Sequence, residues 1–187
     1  MFGGDFVKKI GFVFFLLMLW IKPAHADFVI NAVSTVEYEV AKPRDALRAF
    51  DQPEFISRNL PGLKGIKPAG EGLHLWDMEI KVPLSKPMRG SFLAERKVVN
   101  DDVIAYESAD RNAPDYMFCE TSVIPKSAQE SSVKITIQLK FTRSSGWQFH
   151  WLAPFLGEKF IGSKVKEKLD VMLKEFAANS KREFEGA

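Results

Sequence analysis

Strict alternation of apolar and polar side chains is the strongest pattern in this chain. From Val133 to Phe141 every second residue is apolar, and every residue between them is polar. In residues 28–40, Phe28, Ile30, Ala32, Val36, Tyr38 and Val40 share one parity, and Asn31, Thr35, Glu37 and Glu39 share the other. A strand with one buried and one solvated face has this period of two. Turns are predicted at residues 100–102 and 127–132. The remaining segments with strand character are residues 73–82, 87–99, 103–109 and 116–124, with a short edge strand near Gly65.

Helical spacing replaces alternation in two parts of the chain. A short segment with apolar residues at helical spacing begins at Pro43, and a second begins at Pro53. The second segment ends before Pro61 and Gly62. Proline suits the first turn of a helix, so two short helices are predicted between residues 43 and 60. Residues 151–176 predict a long amphipathic helix, and the polar residues after it are expected to fray. Its apolar stripe consists of Trp151, Phe155, Ile161, Val165, Leu169, Met172, Leu173 and Phe176.

The N-terminal segment has the order of a secretory signal peptide. Lys8 and Lys9 precede an apolar run from Ile10 to Ile21, and Ala24 and Ala26 follow it. The run is shorter than the roughly twenty residues that span a bilayer as a helix. We therefore predict cleavage after Ala26 and export, most simply to a bacterial periplasm. The alternative is a leader that stays uncleaved as a tether. Residues 27–187 are long enough for one domain and show no internal boundary.

Charge, cysteine and histidine content argue against nucleic-acid binding, an internal disulfide and a transition-metal site. The leader holds three of the 26 basic residues and one of the 24 acidic residues, so the mature chain is close to neutral. Nothing in this balance indicates nucleic-acid binding. Cys119 is the only cysteine, so no internal disulfide forms, and we interpret it as a buried, inert thiol rather than a nucleophile. His74 and His150 are too few for a transition-metal site, and no cofactor is implied.

The order of elements predicts an α+β fold in which a long C-terminal helix lies on a curved antiparallel sheet. Particular motifs in this order are Pro43-Arg44-Asp45-Ala46-Leu47, Asn59-Leu60-Pro61-Gly62-Leu63, Met78-Glu79-Ile80-Lys81-Val82 and Met88-Arg89-Gly90-Ser91-Phe92. In these four motifs the chain resembles the START and SRPBCC superfamily, the polyketide-cyclase and lipid-transport group, which has the helix-grip fold. The resemblance covers nearly all of residues 28–180. The likeness is greatest to the branch of the carbon-monoxide-dehydrogenase G proteins. Those relatives are usually cytoplasmic, whereas this chain carries a leader.

The resemblance implies an internal cavity between the sheet and the long helix. Five of the sixteen phenylalanines lie in the leader, and the others suit either an apolar pocket or an ordinary core. The predicted ligand is a hydrophobic small molecule such as a lipid, an isoprenoid or a quinone. The predicted cavity lining is Trp76, Met78, Ile80, Phe92, Tyr106, Phe118, Leu139, Phe155, Ile161 and Val165, with Leu169 as a further candidate.

Three charged residues in the strands are candidate polar anchors for such a ligand. Glu107 and Glu120 interrupt strands that are otherwise rich in apolar residues, and Arg96 lies on a neighbouring strand, as does Arg89. A carboxylate on the dry face must be paired or neutral, so either glutamate could hold a ligand or act as an acid. The alternative is that both lie on the solvated face.

The segment from Trp147 to Leu152 carries three aromatic rings at the start of the long helix. They fit two hypotheses, a staple that fixes the helix to the sheet and a peripheral contact with a membrane aided by Lys159 and Lys164.

Three functions remain open on the sequence. The leading hypothesis is an exported, non-enzymatic carrier that encloses a hydrophobic molecule. The alternatives are a cyclase-like or hydratase-like enzyme with Glu107 or Glu120 as its acid, and an accessory protein that docks a partner.

Overall fold

The computed structural model describes residues 27–41, 43–82, 87–149 and 151–186, with no side chains described for residues 43–45. The predictions for the leader and for His150 lie outside the described residues. The strands are β1 (Phe28–Ala41), β2 (Leu63–Gly70), β3 (Leu73–Ile80), β4 (Met88–Asn100), β5 (Val103–Ser108), β6 (Asp115–Pro125) and β7 (Glu130–Arg143). The α-helices are α1 (Pro43–Phe50), α2 (Pro53–Asn59) and α3 (Ala153–Glu185), and a short 3-10 helix spans Gly146–Gln148.

The strands form one antiparallel sheet in the order β1-β7-β6-β5-β4-β3-β2. This is the predicted α+β architecture, a curved sheet closed by a long C-terminal helix. The edge strand predicted near Gly65 is the eight-residue β2, which pairs with β3. The two short helices also lie where the prolines predict them.

One face of the sheet is buried beneath the helices, and we call it the concave face; the other is the outer face. Alternation assigns the residues to the two faces as the sequence predicts for β1 and β7: Ile135, Ile137 and Leu139 are buried, and Lys134 is exposed. Buried side chains that belong to the concave face and matter below are Trp76, Met78, Ile80, Phe92, Tyr106, Met117, Cys119, Leu139 and Phe141.

Three polar contacts hold α3 alongside β1. The Val29 N–H donates to Glu158 Oε1 at 2.7 Å, and the Ser34 hydroxyl donates to Asp170 at 2.6 Å. Further along, the hydroxyls of Tyr38 and Ser180 lie 2.6 Å apart. Residues 29–38 of a strand span about 30 Å and residues 158–180 of a helix span about 33 Å, so the two elements run side by side over the same distance.

The predicted apolar stripe of α3 is correct from Ile161 onward and wrong before it. Ile161, Val165 and Leu169 are buried, whereas Trp151 and Phe155 are exposed. The physical reason is Gly157, whose φ of 78° and ψ of 162° break the helix. The short segment before the break therefore does not continue the face that packs on the sheet.

The C-terminal end of α3 is ordered as helix to Glu185, which corrects the prediction that it frays. Glu183 forms an ion pair with Arg58 and accepts a hydrogen bond from Asn59 Nδ2 at 2.7 Å. The ring of Phe184 stacks on that of Phe55 with centroids 5.3 Å apart. These contacts tie the last turns of α3 to α2. No helix in the described ranges has the length and apolar character needed to cross a bilayer.

Substitution of Gly90 tests how closely the concave face is packed. A Cβ atom at this position would lie 2.7 Å from Phe92 Cζ and 2.8 Å from Phe141 Cε1, so we expect Gly90→Ala to lower the free energy of unfolding by about 1–3 kcal/mol. Gly65 in β2 has open space around its Cα, and Gly65→Ala is the matched control, with a change within about 0.5 kcal/mol. Urea unfolding of both variants measures this. Equal stability of the two variants would contradict the close packing at Gly90.

Candidate functional site

The concave face brings together most of the predicted lining residues. Fully or almost fully buried there, with the facing residues of α3, are Trp76, Met78, Ile80, Phe92, Tyr106, Leu139, Ile161, Val165 and Leu169. The side chains of Phe92 and Phe141 lie 5.9 Å apart between ring centroids, close to Gly90. The sheet and α3 thus enclose one continuous apolar interior.

Phe118 and Phe155 lie outside this interior, contrary to the prediction. Met117 and Cys119 point to the concave face, so Phe118 between them points to the outer face of β6. It lines an open depression there with Gln138 and Lys140 of β7. Phe155 is displaced by the helix break at Gly157.

Two nitrogen atoms on the inner side of β3 lack hydrogen-bond partners. Trp76 Nε1 and His74 Nδ1 are buried, and neither has a partner in the described part of the chain. Both rings lie against Tyr106, with centroid distances of 5.0 Å for Trp76 and 5.9 Å for His74. A buried donor without an acceptor costs about 1–3 kcal/mol. The Trp76 N–H can donate and His74 Nδ1 can donate or accept, so the inner side of β3 can offer hydrogen bonds to a polar group.

An ion pair closes the interior beside these rings. Asp51, which follows α1, accepts two hydrogen bonds from Arg96, of which the one from Nη2 is 2.7 Å long. The Tyr106 hydroxyl donates to the Asp51 carbonyl oxygen at 3.4 Å. Burial raises the pKa of Tyr106 to about 12, so this hydroxyl keeps its proton at neutral pH. Arg96 therefore does reach the concave face, but its guanidinium is engaged by Asp51.

Glu107 lies on the outer face, where three side chains cover its carboxylate. Arg111 Nε and Lys97 Nζ lie 2.6 and 2.9 Å from its oxygens, and the Tyr116 hydroxyl donates to it at 3.1 Å. The hydrogen bonds from Arg111 and Lys97 hold the pKa of Glu107 at about 2 although only 6% of the residue is exposed. A carboxylate held ionised in this way does not serve as an acid near neutral pH.

The other charged residues considered as polar anchors lie on the outer face or are held in ion pairs. Glu120 points to the same face of β6 as Phe118, away from the interior. Arg89 donates to Glu79 at 3.0 Å and Arg96 binds Asp51, so both arginines have other partners. Of the two faces that the sequence left open for Glu107 and Glu120, the structure has both on the outer face, because the pleat of β5 and β6 turns them outward.

Cys119 is buried beneath the helices, as predicted. Burial raises the pKa of its thiol to about 12, so the reactive thiolate is rare at neutral pH. No group of three or more His, Cys, Asp or Glu side chains that could hold a metal ion occurs within the described ranges.

The aromatic segment before α3 divides into one staple and two exposed rings. Phe149 is buried against Phe28 with ring centroids 5.4 Å apart, so it fixes the segment to the sheet. Trp147 and Trp151 are exposed.

The predicted lining did not include His74, and nothing in the sequence had pointed to Asp51. His74 precedes Trp76 by two residues, and this period-two spacing could have placed both rings on one face. Asp51 carried no such signal, because its position depends on how α1 packs against β5 and β6.

Comparisons with solved structures place this geometry among known folds. A START-superfamily protein from Mycobacterium smegmatis superimposes with a TM-score of 0.57 and 14% sequence identity, over 82% of this chain and 97% of that one. This chain has the helix-grip fold. A conserved protein from Geobacillus kaustophilus matches at a TM-score of 0.54 and 12% identity, over 84% of this chain and 96% of that one. The Zhui aromatase/cyclase from Streptomyces sp. R1128 matches at 0.50 and 13% identity, over 84% and 92%.

No protein-family model matches the sequence. No curated protein matches it either. At these identities the likeness concerns the fold alone, and a shared fold does not imply a shared function.

The ionised state of Glu107 predicts a particular pH dependence of stability. We expect Glu107→Gln to lower the free energy of unfolding at pH 7 by about 1–2 kcal/mol, because a charge-assisted hydrogen-bond network is lost while its cationic partners stay hydrated. The folded pKa of about 2 lies below the ordinary 4.5, so the advantage of the native residue is complete above pH 4.5 and is lost as the pH falls from there toward 2.

Urea unfolding of both proteins at pH 7 and pH 3 measures this difference. The control is Glu95→Gln, at the residue that pairs with Glu107 across the strands but is exposed, and its effect should stay within about 0.5 kcal/mol. A stability difference for Glu107→Gln that is the same at both pH values would contradict the lowered pKa.

Proposed function

We propose that this protein is a non-enzymatic carrier that encloses a hydrophobic molecule with one hydrogen-bonding polar group. Lipids, isoprenoids and quinones have this character. The observation that carries the proposal is the pair of unpartnered buried nitrogens, Trp76 Nε1 and His74 Nδ1, within an otherwise apolar interior. A carbonyl, carboxyl or hydroxyl oxygen of a ligand would supply the acceptor that Trp76 lacks.

The apolar surroundings of these two atoms support the hydrophobic part of the ligand. The rings of Trp76 and Tyr106 pack at a tilt of 57°, and Phe92 pairs with Trp76 across the strands. These three residues and Met78 are at most 3% exposed. Burial of apolar ligand surface against such side chains contributes roughly 25 cal/mol per Å² before the cost of association.

Ligand uptake requires a movement of the segment that covers the rings. The ion pair between Asp51 and Arg96 holds the junction of α1 and α2 against Tyr106, which neighbours Trp76. Arg96 and Asp51 are both about one-third exposed, so water reaches the pair and a modest free energy is enough to open it. We propose that this junction is the part that opens.

The cyclase-like alternative has less support on the concave face. Its candidate acids, Glu107 and Glu120, point to the outer face, and the acid that does reach the interior, Asp51, is bound to Arg96. Cys119 is protonated at neutral pH. Catalysis by these groups would need a rearrangement larger than ligand entry.

Export is part of the proposal and rests on the leader sequence. Lys8, Lys9, the apolar run that follows and Ala24-His25-Ala26 support cleavage after Ala26 and function in the periplasm. Mass spectrometry of the protein from its native compartment identifies the N-terminal residue and any co-purified ligand in the same sample.

Trp76→Phe tests the role of the indole N–H while keeping an aromatic ring in place. We expect a long-chain fatty acid or an isoprenoid quinone to bind the native protein, and the variant to bind the preferred probe about tenfold more weakly because one buried hydrogen bond is lost. An alkane of the same length has no acceptor, so its affinity should change little. Fluorescence titration or calorimetry measures these affinities.

Trp147→Phe makes the same chemical change at an exposed ring and should leave all affinities unchanged. A native protein that co-purifies with no apolar molecule and binds none of the three probes would refute the carrier. If the native protein and Trp76→Phe bind the acceptor-bearing probes with equal affinity, Trp76 Nε1 does not bind the ligand's polar group.

A further inference from the structure

The start of α3 exposes large apolar side chains that play no part in enclosing a ligand. Trp147, Trp151 and Phe155 are 57, 66 and 75% exposed, and Leu156 and Phe160 are 40 and 46% exposed. We call these five residues the aromatic tip. The rings of Trp147 and Phe155 pack edge to face with centroids 5.8 Å apart, so these two rings form one exposed aromatic pair. Exposed apolar side chains in such a group mark a site of interaction.

The backbone holds the tip away from the core. Gly157 has a φ of 78°, a conformation that other residues rarely adopt, and no atom lies within 4 Å of where its Cβ would be. Because the helix breaks there, Phe155 and Leu156 leave the buried face that begins at Ile161. Glycine at this position thus specifies the exposure of Phe155 and Leu156.

The first residue of β1 lies at the same end of the molecule. Phe28 packs on Phe149, and a Cβ at Gly146 would lie 2.9 Å from the Phe28 ring and 3.2 Å from the Pro154 nitrogen. The apolar run of the leader ends at Ile21, and the residues from there to Asp27 span at most about 20 Å. Whenever that run lies in a membrane, Asp27 is within this distance of it, and the neighbouring Phe28 packs on Phe149, which lies between Trp147 and Trp151 in the sequence.

The charges around the tip also fit a bilayer. Lys159 is exposed and forms no ion pair with the described residues, whereas the neighbouring Glu158 accepts the Val29 N–H at 2.7 Å. Tryptophan and phenylalanine are the side chains that favour the headgroup region, and a lysine beside them can reach the lipid phosphates.

We propose that the aromatic tip docks the domain on the surface of a lipid bilayer. The rings of Trp147, Trp151 and Phe155 enter the headgroup region, and Lys159 faces the phosphates. This docking is independent of ligand binding on the concave face, since none of the residues involved lines that face.

Vesicle flotation of the chain that begins at Asp27 tests the proposal. This chain contains all of the core that the structure describes and lacks the leader, whose own affinity for lipid would mask the tip. We expect it to float with vesicles of phosphatidylcholine and more strongly with vesicles that also contain about one-quarter phosphatidylglycerol. The double variant Trp147→Ser/Phe155→Ser should lower the partition coefficient at least about tenfold, because the exposed area of two rings no longer enters the lipid.

Val98→Ser/Val99→Ser is the matched control, because Val98 and Val99 are 58 and 59% exposed on β4, away from the tip. This variant should float like the native chain, and Lys159→Glu should weaken binding to the phosphatidylglycerol vesicles more than to pure phosphatidylcholine. Thermal unfolding checks that all variants keep the fold.

Two flotation results would overturn the proposal: a native chain that fails to float, or a tip variant that floats as well as the control. A native dimer in sedimentation velocity that the tip variant abolishes would make the tip a contact between two copies, which also overturns it.

Discussion

The packing of α3 along β1 is the constraint on which the rest of this structure depends. Polar contacts at both ends and near the middle fix the helix lengthwise, at Val29, Ser34 and Tyr38. Because β1 pairs only with β7 in the sheet, the helix gives this edge strand its second neighbour. With the helix in place, the apolar side chains between it and the sheet have no contact with water, and any polar atom among them needs a partner inside the protein.

This constraint separates the two faces of the sheet chemically. Carboxylates on the outer face, such as Glu79 and Glu107, obtain cationic partners from exposed side chains, so their pKa values fall. On the inner side, burial raises the pKa values of Tyr106 and Cys119 instead. The outer face therefore carries fixed charge, and the inner side carries the neutral hydroxyl of Tyr106 and the neutral thiol of Cys119, with the Arg96–Asp51 ion pair beside them. The carrier proposed above would bind its ligand in these surroundings.

The fold was accessible to sequence reasoning because its strands alternate and its helices begin at prolines. The strand β7 is the clearest example, since Val133, Ile135 and Ile137 needed only the period of two. The errors arose where both parities of a strand carry large side chains. In β6, Met117 and Phe118 are both apolar, and only the pairing of Phe118 with Gln138 of β7 shows which of them points outward. Pairing between strands that are distant in sequence is not encoded in local periodicity.

The candidate site was predicted less completely than the fold for a related reason. Trp76 and Tyr106 were found because buried aromatic residues in strands are conspicuous. Their lack of hydrogen-bond partners is a property of three-dimensional packing, and so is the ion pair that Arg96 makes with Asp51. The exposure of Phe155 depends on one glycine, and a helical periodicity that looks continuous in the sequence does not reveal a break of this kind.

Cys119 gives the protein an internal reporter of its own opening. The thiol is the only one in the chain, lies opposite Tyr106 in the pairing of β5 with β6, and is shielded from water. A thiol reagent in solution can reach Cys119 only when the elements that cover the interior move apart. The alkylation rate of the native protein therefore reports how often the interior opens, and the measurement needs no dye or introduced mutation.

The same shielding also matters in an oxidising compartment. It keeps the cysteines of two molecules from meeting, so the protein can remain free of intermolecular disulfides where thiols are otherwise readily oxidised.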